Sequence, residues 1–357
     1  MSFFKKTLFL LKYKQKIMQK YLLALLLFLS AVTFSQELEV ILQNPVSENN
    51  FRGLWVVDEN VVWASGTKGT IIKTTNGGKS WQNLPIKGFE DKDFRDIVAF
   101  DEKRAFVINA GSPAYILKTT DGGNNWQIVY QDTSKNAFLN DIGFFGEKIG
   151  FVFGDPDNEA NFTLLKSEDG GNTWTNIGKN LPKAQKNEAG FAASGTIMRF
   201  REPSHIWIGT GGGEKARILL STDLGNTWQS VEVPILSGKA SQGIFSVVFQ
   251  DLKNGVAVGG DYTQPNFSEK TAIYTSDGGK SWKIAKIPPK GYRSCVSYIR
   301  KKTYIAVGSN GIDFSKDGGK KWKNISTEGF HTVRFIREGN IGWAIGNKGK
   351  LAKIILK

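Results

Sequence analysis

Two loops in the sequence carry acidic side chains at spacings suited to acid–base chemistry. Both begin with Gly-Asp and end with Asn-Phe, one spanning residues 154–162 and the other spanning residues 260–267. A glycosidase needs two carboxylates roughly 5–10 Å apart, one of which protonates the leaving group. The same acids could instead form a salt-bridged rim or a sugar site, or the loops could simply cover the end of the fold. The candidate catalytic set is Asp155, Asp157, Glu159 and Asp261.

Arginine follows an aromatic residue at three corresponding places, in Phe51-Arg52, Phe94-Arg95 and Tyr292-Arg293. Guanidinium groups bind carboxylates and phosphates through paired N–H donors. Recurrence in register predicts that the three arginines line the mouth of a central channel. The alternative is that each arginine satisfies local carbonyls or pairs with Asp96 or Asp141. With neighbouring polar side chains, the predicted ligand-binding set is Arg52, Arg95, Arg293, His331, Asn140 and Tyr262.

An eight-residue pattern, Ser/Thr-x-Asp/Asn-x-Gly-x-x-Trp, occurs six times and indicates which elements position these residues. Alternating apolar residues flank each copy, so the pattern predicts a turn between two antiparallel strands. The Asp or Asn oxygen can accept hydrogen bonds from its own turn, and the Trp brings a large apolar face to the next strand. The predicted structural residues are Asn76, Asp121, Asp169, Asp223, Asp277 and Asp317, with Trp81, Trp126, Trp174, Trp228, Trp282 and Trp322.

These copies match the Asp-box, or bacterial neuraminidase repeat, which is found in β-propellers. The first copy departs from the repeat with Asn76 in place of Asp, and the fourth has Leu224 where the other copies have Gly. The resemblance implies an all-β fold built from four-stranded antiparallel blades. In such a fold the Asp-box turns lie on the face opposite the starts of the inner strands. We therefore expect them to lie away from the funnel where propeller ligands usually bind.

Strand-like segments give six complete repeats and a seventh that lacks its outer strand. Residues 37–43 resemble a strand without a local partner. We predict that they supply the missing strand and close a seven-bladed β-propeller, because closure removes exposed sheet edges. Residues 36–357 then form one domain. The predicted blades span about 51–86, 94–130, 138–179, 191–233, 243–287, 291–326, and 330–357 together with 37–43.

Residues 1–35 have the pattern of a secretory signal peptide. A lysine-rich stretch precedes an apolar run from Tyr21 to Phe34, and cleavage is expected after Ser35. An uncleaved membrane anchor is the alternative, and Met18 is a second candidate start. Removing these residues deletes six lysines and no acid from a net charge of +14, which leaves +8. A basic chain favours acidic partners. We expect export to the periplasm, the cell surface or the medium.

The whole of residues 37–357 resembles the photosystem II assembly and stability factor family, through the Asp-box copies and the position-matched Arg52, Arg95 and Arg293. Members of that family are exported seven-bladed propellers with an arginine patch on one face. The resemblance implies protein binding and assembly assistance rather than catalysis. Sialidases and sortilin-type receptors share the repeat. Sialidases are six-bladed, however, and their Arg-Ile-Pro segment is replaced here by Arg52-Gly53-Leu54.

We therefore expect an exported, monomeric scaffold without a cofactor that binds an acidic protein segment or an acidic glycan. No dinucleotide-binding glycine fingerprint follows a strand, and the two histidines, His205 and His331, form no metal-ligand cluster in sequence. A glycoside hydrolase that uses the loop carboxylates is the alternative. Nucleic-acid binding fits the charge but not the export signal. Membrane contact is expected only through the signal segment or an envelope partner.

Deleting residues 36–44 should destabilise the whole domain, because the seventh blade would lose its outer strand and expose a sheet edge. The measurement is the melting temperature of the truncated protein. An unchanged melting temperature would reject closure by this segment.

Overall fold

A computed structural model describes residues 38–357, which form seven four-stranded antiparallel sheets. The predicted signal peptide, residues 1–35, lies outside the described residues. The chain divides into a large unit, Val40–Ile355, which contains the propeller, and a small unit. The described residues of the small unit are Leu38, Glu39, Leu356 and Lys357. No helix in residues 38–357 is long and apolar enough to cross a membrane.

The first three complete blades follow a short N-terminal strand, β1 (Leu38–Leu42). Blade 1 contains β2 (Phe51–Val56), β3 (Val62–Gly66), β4 (Ile71–Thr74) and β5 (Gln82–Asn83). Blade 2 contains β6 (Asp93–Ala99), β7 (Ala105–Ala110), β8 (Ala114–Thr119) and β9 (Gln127–Asp132). Blade 3 contains β10 (Leu139–Phe145), β11 (Ile149–Pro156), β12 (Phe162–Ser167) and β13 (Thr175–Asn176). A single 3-10 turn, Gly178–Asn180, leads towards the fourth blade.

The remaining blades repeat the same order. Blade 4 contains β14 (Met198–Arg201), β15 (His205–Gly209), β16 (Arg217–Ser221) and β17 (Gln229–Glu232). Blade 5 contains β18 (Gln242–Phe249), β19 (Gly255–Asp261), β20 (Ala272–Thr275) and β21 (Lys283–Ile284). Blade 6 contains β22 (Cys295–Tyr298), β23 (Tyr304–Gly308), β24 (Gly311–Ser315) and β25 (Lys323–Ser326). Blade 7 contains β26 (Thr332–Phe335), β27 (Ile341–Ile345) and β28 (Leu351–Leu356).

The N-terminal strand completes blade 7, whose strand order is β1-β28-β27-β26. The amide of Gln43 continues this edge with a hydrogen bond of 2.9 Å to the carbonyl of Leu351. The first strand of each blade contacts the first strand of the next blade, and β26 contacts β2. The predicted seven-bladed ring, closed by an N-terminal strand, is therefore confirmed.

The Asp-box of blade 3 shows why this pattern makes a turn. The hydroxyl of Ser167 donates to Asp169 Oδ1 at 2.8 Å and accepts the amide of Gly171 at 2.9 Å. Asp169 also accepts the amide and the hydroxyl of Thr173, at 3.0 and 2.7 Å. These bonds to the backbone and side chain of Thr173, and to Ser167, lower the pKa of Asp169 to about 2. The acid is thus used by its own turn, as the sequence indicates.

The first copy keeps the same arrangement without a charge. Asn76 Oδ1 accepts the hydroxyl of Thr74 and the amide of Ser80, both at 3.0 Å. Trp81 packs edge-on against Trp343 of blade 7, with ring centroids 5.2 Å apart. The turn motif therefore also supplies an apolar contact between neighbouring blades, which is the burial that holds a propeller together.

In six blades an amide of the Asp-box turn also donates to a carbonyl in the turn between the first and second strands, such as Gly170 to Lys148 at 2.9 Å. Both kinds of turn therefore lie on one face of the ring, which we call the turn face. The starts of the inner strands and the loops between second and third strands lie on the opposite face, which we call the loop face.

Replacing Asp169 with alanine should lower the melting temperature, whereas D169N should have a smaller effect because Asn76 fills the same role in blade 1. A carboxylate with a lowered pKa stabilises the fold above its ordinary pKa of about 3.9, and this contribution is lost as the pH falls towards about 2. The melting temperature of D169N should therefore fall less than that of the wild type between about pH 5 and about pH 2. An equal fall of the melting temperature in D169N and the wild type would contradict the role assigned to the Asp169 carboxylate.

Candidate functional site

Inner strands of the ring begin with a β-bulge that places one extra residue at the loop face. In blade 1, Phe51 faces Gly66 and Gly53 faces Ser65, which leaves Arg52 as the extra residue. The same register shift makes Arg95 the extra residue of blade 2. It makes Asn140 the extra residue of blade 3. A bulge re-aims the side chain of its extra residue. The bulge is thus the element that positions this part of the predicted ligand-binding set.

Arg293 does not occupy this position, although it follows an aromatic residue. In blade 6, Cys295 faces Val307, and the amide of Ser294 also bonds to the carbonyl of Val307 at 2.9 Å. The extra residue is therefore Ser294. Arg293 lies one position earlier, in the place that Phe51 has in blade 1, and a shift of one residue turns a side chain to the other side of a strand.

The guanidinium of Arg293 is consequently inside the wall of the ring. Its side chain is 0% exposed and forms an ion pair with Asp313. It also donates to Asn310 Oδ1 at 2.8 Å and to the carbonyl of Tyr292 at 2.6 Å. The expectation that Arg293 lines the mouth of the channel is corrected by this geometry, because all of its charge is directed to local partners.

Arg52, Arg95 and His331 lie close enough at the loop face to act on one another electrostatically. Arg52 donates to the carbonyl of Ala193 at 3.3 Å, and Arg95 is paired with Asp93 at 2.7 Å. Burial, followed by the charge of Arg52, lowers the pKa of His331 to about 4. The imidazole is therefore neutral at pH 7. We call these three residues, together with Tyr262, the loop-face mouth.

Tyr262 brings an exposed aromatic ring to the same face. Its side chain is 52% exposed, and its ring lies edge-on to Phe245 with centroids 6.1 Å apart. Phe245 in turn stacks on Phe191 at 3.9 Å. Asn140, by contrast, is buried and donates to Asp155 Oδ1 at 2.8 Å. The structure thus brings Tyr262 to the loop-face mouth and turns Asn140 towards a neighbouring loop.

The predicted catalytic carboxylates do not come together as one set. Asp155, Asp157 and Glu159 line a cavity of about 550 Å³ beside blade 3. Asp157 accepts the amides of Glu159 and Asn161 at 2.8 and 2.9 Å, so it organises its own loop. Burial raises the pKa of Asp155. In residues 38–357, no group of three or more His, Cys, Asp or Glu side chains is arranged to hold a metal ion.

Asp261 belongs to blade 5 and is only 1% exposed. It accepts hydrogen bonds from the Thr263 hydroxyl at 2.6 Å and from Gln242 Nε2 at 3.0 Å. Burial pushes the pKa of Asp261 up, but these hydrogen bonds outweigh burial and hold the pKa at about 2. An acid with so low a pKa stays ionised near neutral pH and cannot serve as a general acid.

A buried segment of blade 4, residues 192–196, crosses the centre of the ring, and we call it the plug. Ser194 donates to the carbonyl of Ser294 at 2.8 Å, and Thr196 donates to Ser246 Oγ at 2.7 Å. Arg334 of blade 7 donates to the carbonyl of Gly195 at 2.6 Å. The plug therefore separates the loop-face mouth from the channel that opens on the turn face.

On the turn face, the ends of the inner strands surround a cavity of about 530 Å³. Four arginines line it together with aromatic rings from several blades, and we call it the arginine cavity. A second cavity of about 500 Å³ shares part of its lining and extends it towards the turn after β18. The residues that define the arginine cavity are Arg199, Arg201, Arg334 and Arg337, with Trp55, Phe144, Phe200 and Tyr298.

The arginine cavity holds more positive charge than its neighbours neutralise. Burial, followed by the charge of Arg334, lowers the pKa of Arg199 to about 10. Burial, followed by the charges of Arg337 and Arg199, lowers that of Arg201 to about 10. Neighbouring cations in a desolvated site repel one another, and a bound anion would relieve that repulsion.

Two buried carboxylates, Asp96 and Asp141, lie near Arg334 and Arg199 but are already engaged. Asp96 accepts the amide of Ile142 at 2.8 Å, and Asp141 accepts the amide of Met198 at 2.8 Å. Arg334 approaches Asp96 no closer than 3.9 Å. Burial raises the pKa of both acids. Asp96 thus ties blade 2 to blade 3, and Asp141 ties blade 3 to blade 4. The arginines also have backbone partners, since Arg199 donates to the carbonyl of Met198 at 2.8 Å, Arg201 to that of Phe249, and Arg337 to that of Gln250.

Two guanidinium donors in the arginine cavity are buried and lack a hydrogen-bond acceptor within residues 38–357. They are Nε of Arg201 and Nε of Arg334. The guanidinium carbon of Arg334 lies 4.6 Å from the centroid of the Trp55 ring, and its Nη2 donates to the carbonyl of Gly195. Buried donors normally find acceptors. These Nε groups are therefore candidate donors to a ligand.

The ligand-binding set predicted from the sequence does not include the arginines of this cavity, because the repeat pattern favours a ligand at the loop face, away from the Asp-box turns. Arg199 and Arg201 alternate along one inner strand, and Arg334 and Arg337 stand at the end of another. Alternation along a strand places side chains on one face. That signal was present in Arg-Phe-Arg at residues 199–201.

Comparison with known proteins agrees with this architecture. The family model described as photosynthesis system II assembly factor YCF48 matches residues 34–135, under a third of the chain. The photosystem II assembly lipoprotein Ycf48 of Synechococcus sp. (strain CC9605) is 37% identical over 51 residues. That match covers 14% of this chain and only 15% of the length of the curated relative. The chain is an Asp-box propeller that resembles the YCF48 family.

Solved structures share the fold across nearly the whole chain. YCF48 bound to D1 peptide has a TM-score of 0.63 at 16% identity and covers 90% of this chain and 96% of its own. YCF48 from Cyanidioschyzon merolae has a TM-score of 0.65 at 16% identity, with coverages of 88% and 98%. Virginiamycin B lyase from Staphylococcus aureus also reaches 0.65, at 13% identity, with coverages of 90% and 100%. Because an enzyme shares the fold as well as YCF48 does, function has to be argued from the sites.

Replacing Gly195 in the plug with alanine should lower the free energy of unfolding by about 1–3 kcal/mol. Gly195 has φ +57°, and a Cβ atom would lie 1.9 Å from Asp96 Oδ1. G88A is the matched control, because Gly88 has φ +85° but open space around its Cβ position. Chemical denaturation of both variants measures the difference. Equal losses would show that the plug tolerates a side chain.

Proposed function

We propose that the protein is an exported scaffold that binds an acidic protein segment in the arginine cavity. The observation that carries this proposal is the pair of buried guanidinium Nε donors, on Arg201 and Arg334, that lack acceptors in the described part of the chain. Carboxylates pair with guanidinium groups through charged hydrogen bonds, which are stronger than neutral ones. A cavity of about 530 Å³ is of the size that holds a few residues of a ligand.

The aromatic rings of the cavity favour a peptide as the acidic partner. Trp55, Phe144 and Phe200 offer apolar surface between the charged groups. A peptide presents both carboxylates and apolar side chains, so it matches this lining in both respects. An acidic glycan is the second ligand class, since sugar carboxylates have the same charge and sugar rings stack on aromatic faces.

Assistance in the assembly of an envelope complex is the biological role we propose. Support comes from the resemblance to the YCF48 family and from the signal-peptide pattern of residues 1–35. One relative is named an assembly lipoprotein, and one similar structure is described as bound to a D1 peptide. These names support a protein segment as the partner that we propose for this chain.

The loop-face mouth is a second candidate surface for the same function. Arg52 and Arg95 approach each other there, and Tyr262 exposes an aromatic ring beside them. Arg95 is already paired with Asp93, however, and the plug closes the channel behind the mouth. The mouth therefore offers less unneutralised charge than the arginine cavity does.

A glycoside hydrolase is not favoured by the positions of the carboxylates. Asp157 holds its own loop together, and Asp261 is buried in another blade with a pKa held at about 2. Asp155 remains the one member of the set whose pKa is raised. A single perturbed acid does not supply the acid and base that this reaction requires.

Binding of a fluorescein-labelled hexaglutamate peptide, followed by fluorescence anisotropy, tests the proposed site. R201A/R337A should weaken binding about 30-fold or more, because it removes the half-buried Arg201 together with the neighbouring Arg337, and truncating one partner of a desolvated charge pair costs over about 2 kcal/mol. Added salt should weaken the wild-type complex. A hexaglutamine peptide, which has the same length and no charge, should not bind.

R52A/R95A is the matched control, since it removes the same charge from the loop-face mouth. Wild-type affinity in that variant, with loss in R201A/R337A, supports the arginine cavity. The opposite pattern would move the site to the mouth. Full binding by both variants at an unchanged melting temperature would reject an arginine-based site.

A further inference from the structure

The net positive charge of the described chain is confined to one arc of the ring. Residues 271–327, which run from the third strand of blade 5 to the end of blade 6, contain 12 Lys and Arg and 3 Asp and Glu. The rest of residues 38–357 contains 29 basic and 29 acidic side chains and is therefore neutral. The whole excess of +9 lies in a segment of 57 residues.

Almost all of this charge is on exposed lysines. Of the basic residues in the segment, Arg293 is buried against Asp313 and Arg300 is half-buried. The exposed lysines are Lys280, Lys283, Lys286, Lys290, Lys301, Lys302, Lys316, Lys320, Lys321 and Lys323. The segment therefore presents its charge to solvent rather than to its own core.

The backbone draws the outer edges of blades 5 and 6 together. After β21, the amide of Lys286 bonds to the carbonyl of Lys320 at 2.7 Å, and Ile287 forms a parallel bridge with Lys321. Lys320 Nζ also lies 5.7 Å from the centre of the Tyr274 ring, on the strand that pairs with Lys283. We call the surface that results the lysine face. It consists of Lys283, Ile284, Lys286, Ile287, Lys320 and Lys321.

The acids of the segment do not neutralise this surface. Asp313 is buried with Arg293. Asp277 accepts the amide and hydroxyl of Ser281, at 3.0 and 2.5 Å, within its own Asp-box. Asp317 likewise accepts the amides of Lys320 and Lys321 at 3.1 and 3.0 Å. These three carboxylates are held by Arg293 or by their own turns, so they do not neutralise the lysine face.

Two isoleucines stand among the lysines. Ile284 is 39% exposed and Ile287 is 52% exposed. Within residues 271–327, all of which the structure describes, these are the exposed large apolar side chains, and no aromatic ring is exposed. Single-stranded nucleic acid is held by stacking on exposed aromatics. Aliphatic side chains between lysines instead suit the boundary between lipid headgroups and acyl chains.

We propose that the lysine face binds the surface of a membrane that contains anionic phospholipids. Lysine ammonium groups are compact, well-hydrated point charges on flexible stems, and they attract a diffuse anionic surface without a fixed geometry. The isoleucines add apolar contact with the headgroup region. The arginine cavity differs, because Arg199, Arg201 and Arg334 are half-buried and are oriented by hydrogen bonds to backbone carbonyls. The two surfaces therefore bind different partners, and this proposal does not rest on the function proposed above.

Co-sedimentation with vesicles tests the proposal on the full chain. Phosphatidylcholine vesicles mixed with phosphatidylglycerol are compared with pure phosphatidylcholine vesicles. K283Q/K286Q/K320Q/K321Q should weaken binding to the anionic vesicles by well over tenfold, since each lysine contributes about fivefold near a charged surface. I284S/I287S should weaken the same binding with no change in net charge. Residues 1–35 are common to every variant, so their contribution cancels.

K79Q/K135Q/K148Q/K239Q is the matched control. It removes four exposed lysines from other blades and changes the net charge equally. Loss of anionic-vesicle binding in the lysine-face variant but not in this control supports the proposal. Equal loss in both variants would mean that net charge alone acts, which overturns it. Wild-type binding to an oligo-dT strand with no lysine-dependent binding to vesicles would overturn it in favour of an acidic polymer.

Discussion

The organisation of this propeller depends on the hydrogen bonds that hold the plug across its centre. The plug accepts hydrogen bonds from Arg52 of blade 1 and Arg334 of blade 7. It donates hydrogen bonds to Ser246 of blade 5 and Ser294 of blade 6. Ser194, Thr196, Ser246 and Ser294 are buried, and a buried polar group without a partner is costly. Four other blades therefore fix the position of the plug together. Its presence turns a single channel into two separate recesses with different chemistry.

Around the plug, side chains just after the bulge connect each inner strand to the next. Asp96, Asp141, Ser246 and Cys295 each accept the amide of the neighbouring blade. The residue just after the bulge therefore links neighbouring blades, whereas the bulged residue before it lies at the loop face. This alternation explains why Arg52 is half-buried at the loop face, whereas Arg293, one position away from the corresponding place, is fully buried.

Charge is sorted by environment in this chain. The acids of the Asp-boxes accept hydrogen bonds within their own turns, and Asp96 and Asp141 accept amides of the neighbouring blade. Four arginines, three of them half-buried, line a cavity at the turn face, and exposed lysines lie at the outer edges of blades 5 and 6. A basic composition alone therefore does not describe how this molecule meets partners. Oriented guanidinium groups select shape and charge together, whereas exposed ammonium groups respond to charge density.

The sequence by itself determined the repeat, the number of blades and the closure of the ring, because these follow from local patterns. Asp169 bonds within its own eight residues, and the unpaired strand at residues 38–42 matches the missing edge of the last blade. Only the tertiary structure decided which arginines meet. A bulge shifts register by one residue, so Arg293 could not be separated from Arg52 by spacing alone. Likewise, Arg199 and Arg334 are 135 positions apart in the chain, and only the closed ring brings them to one cavity.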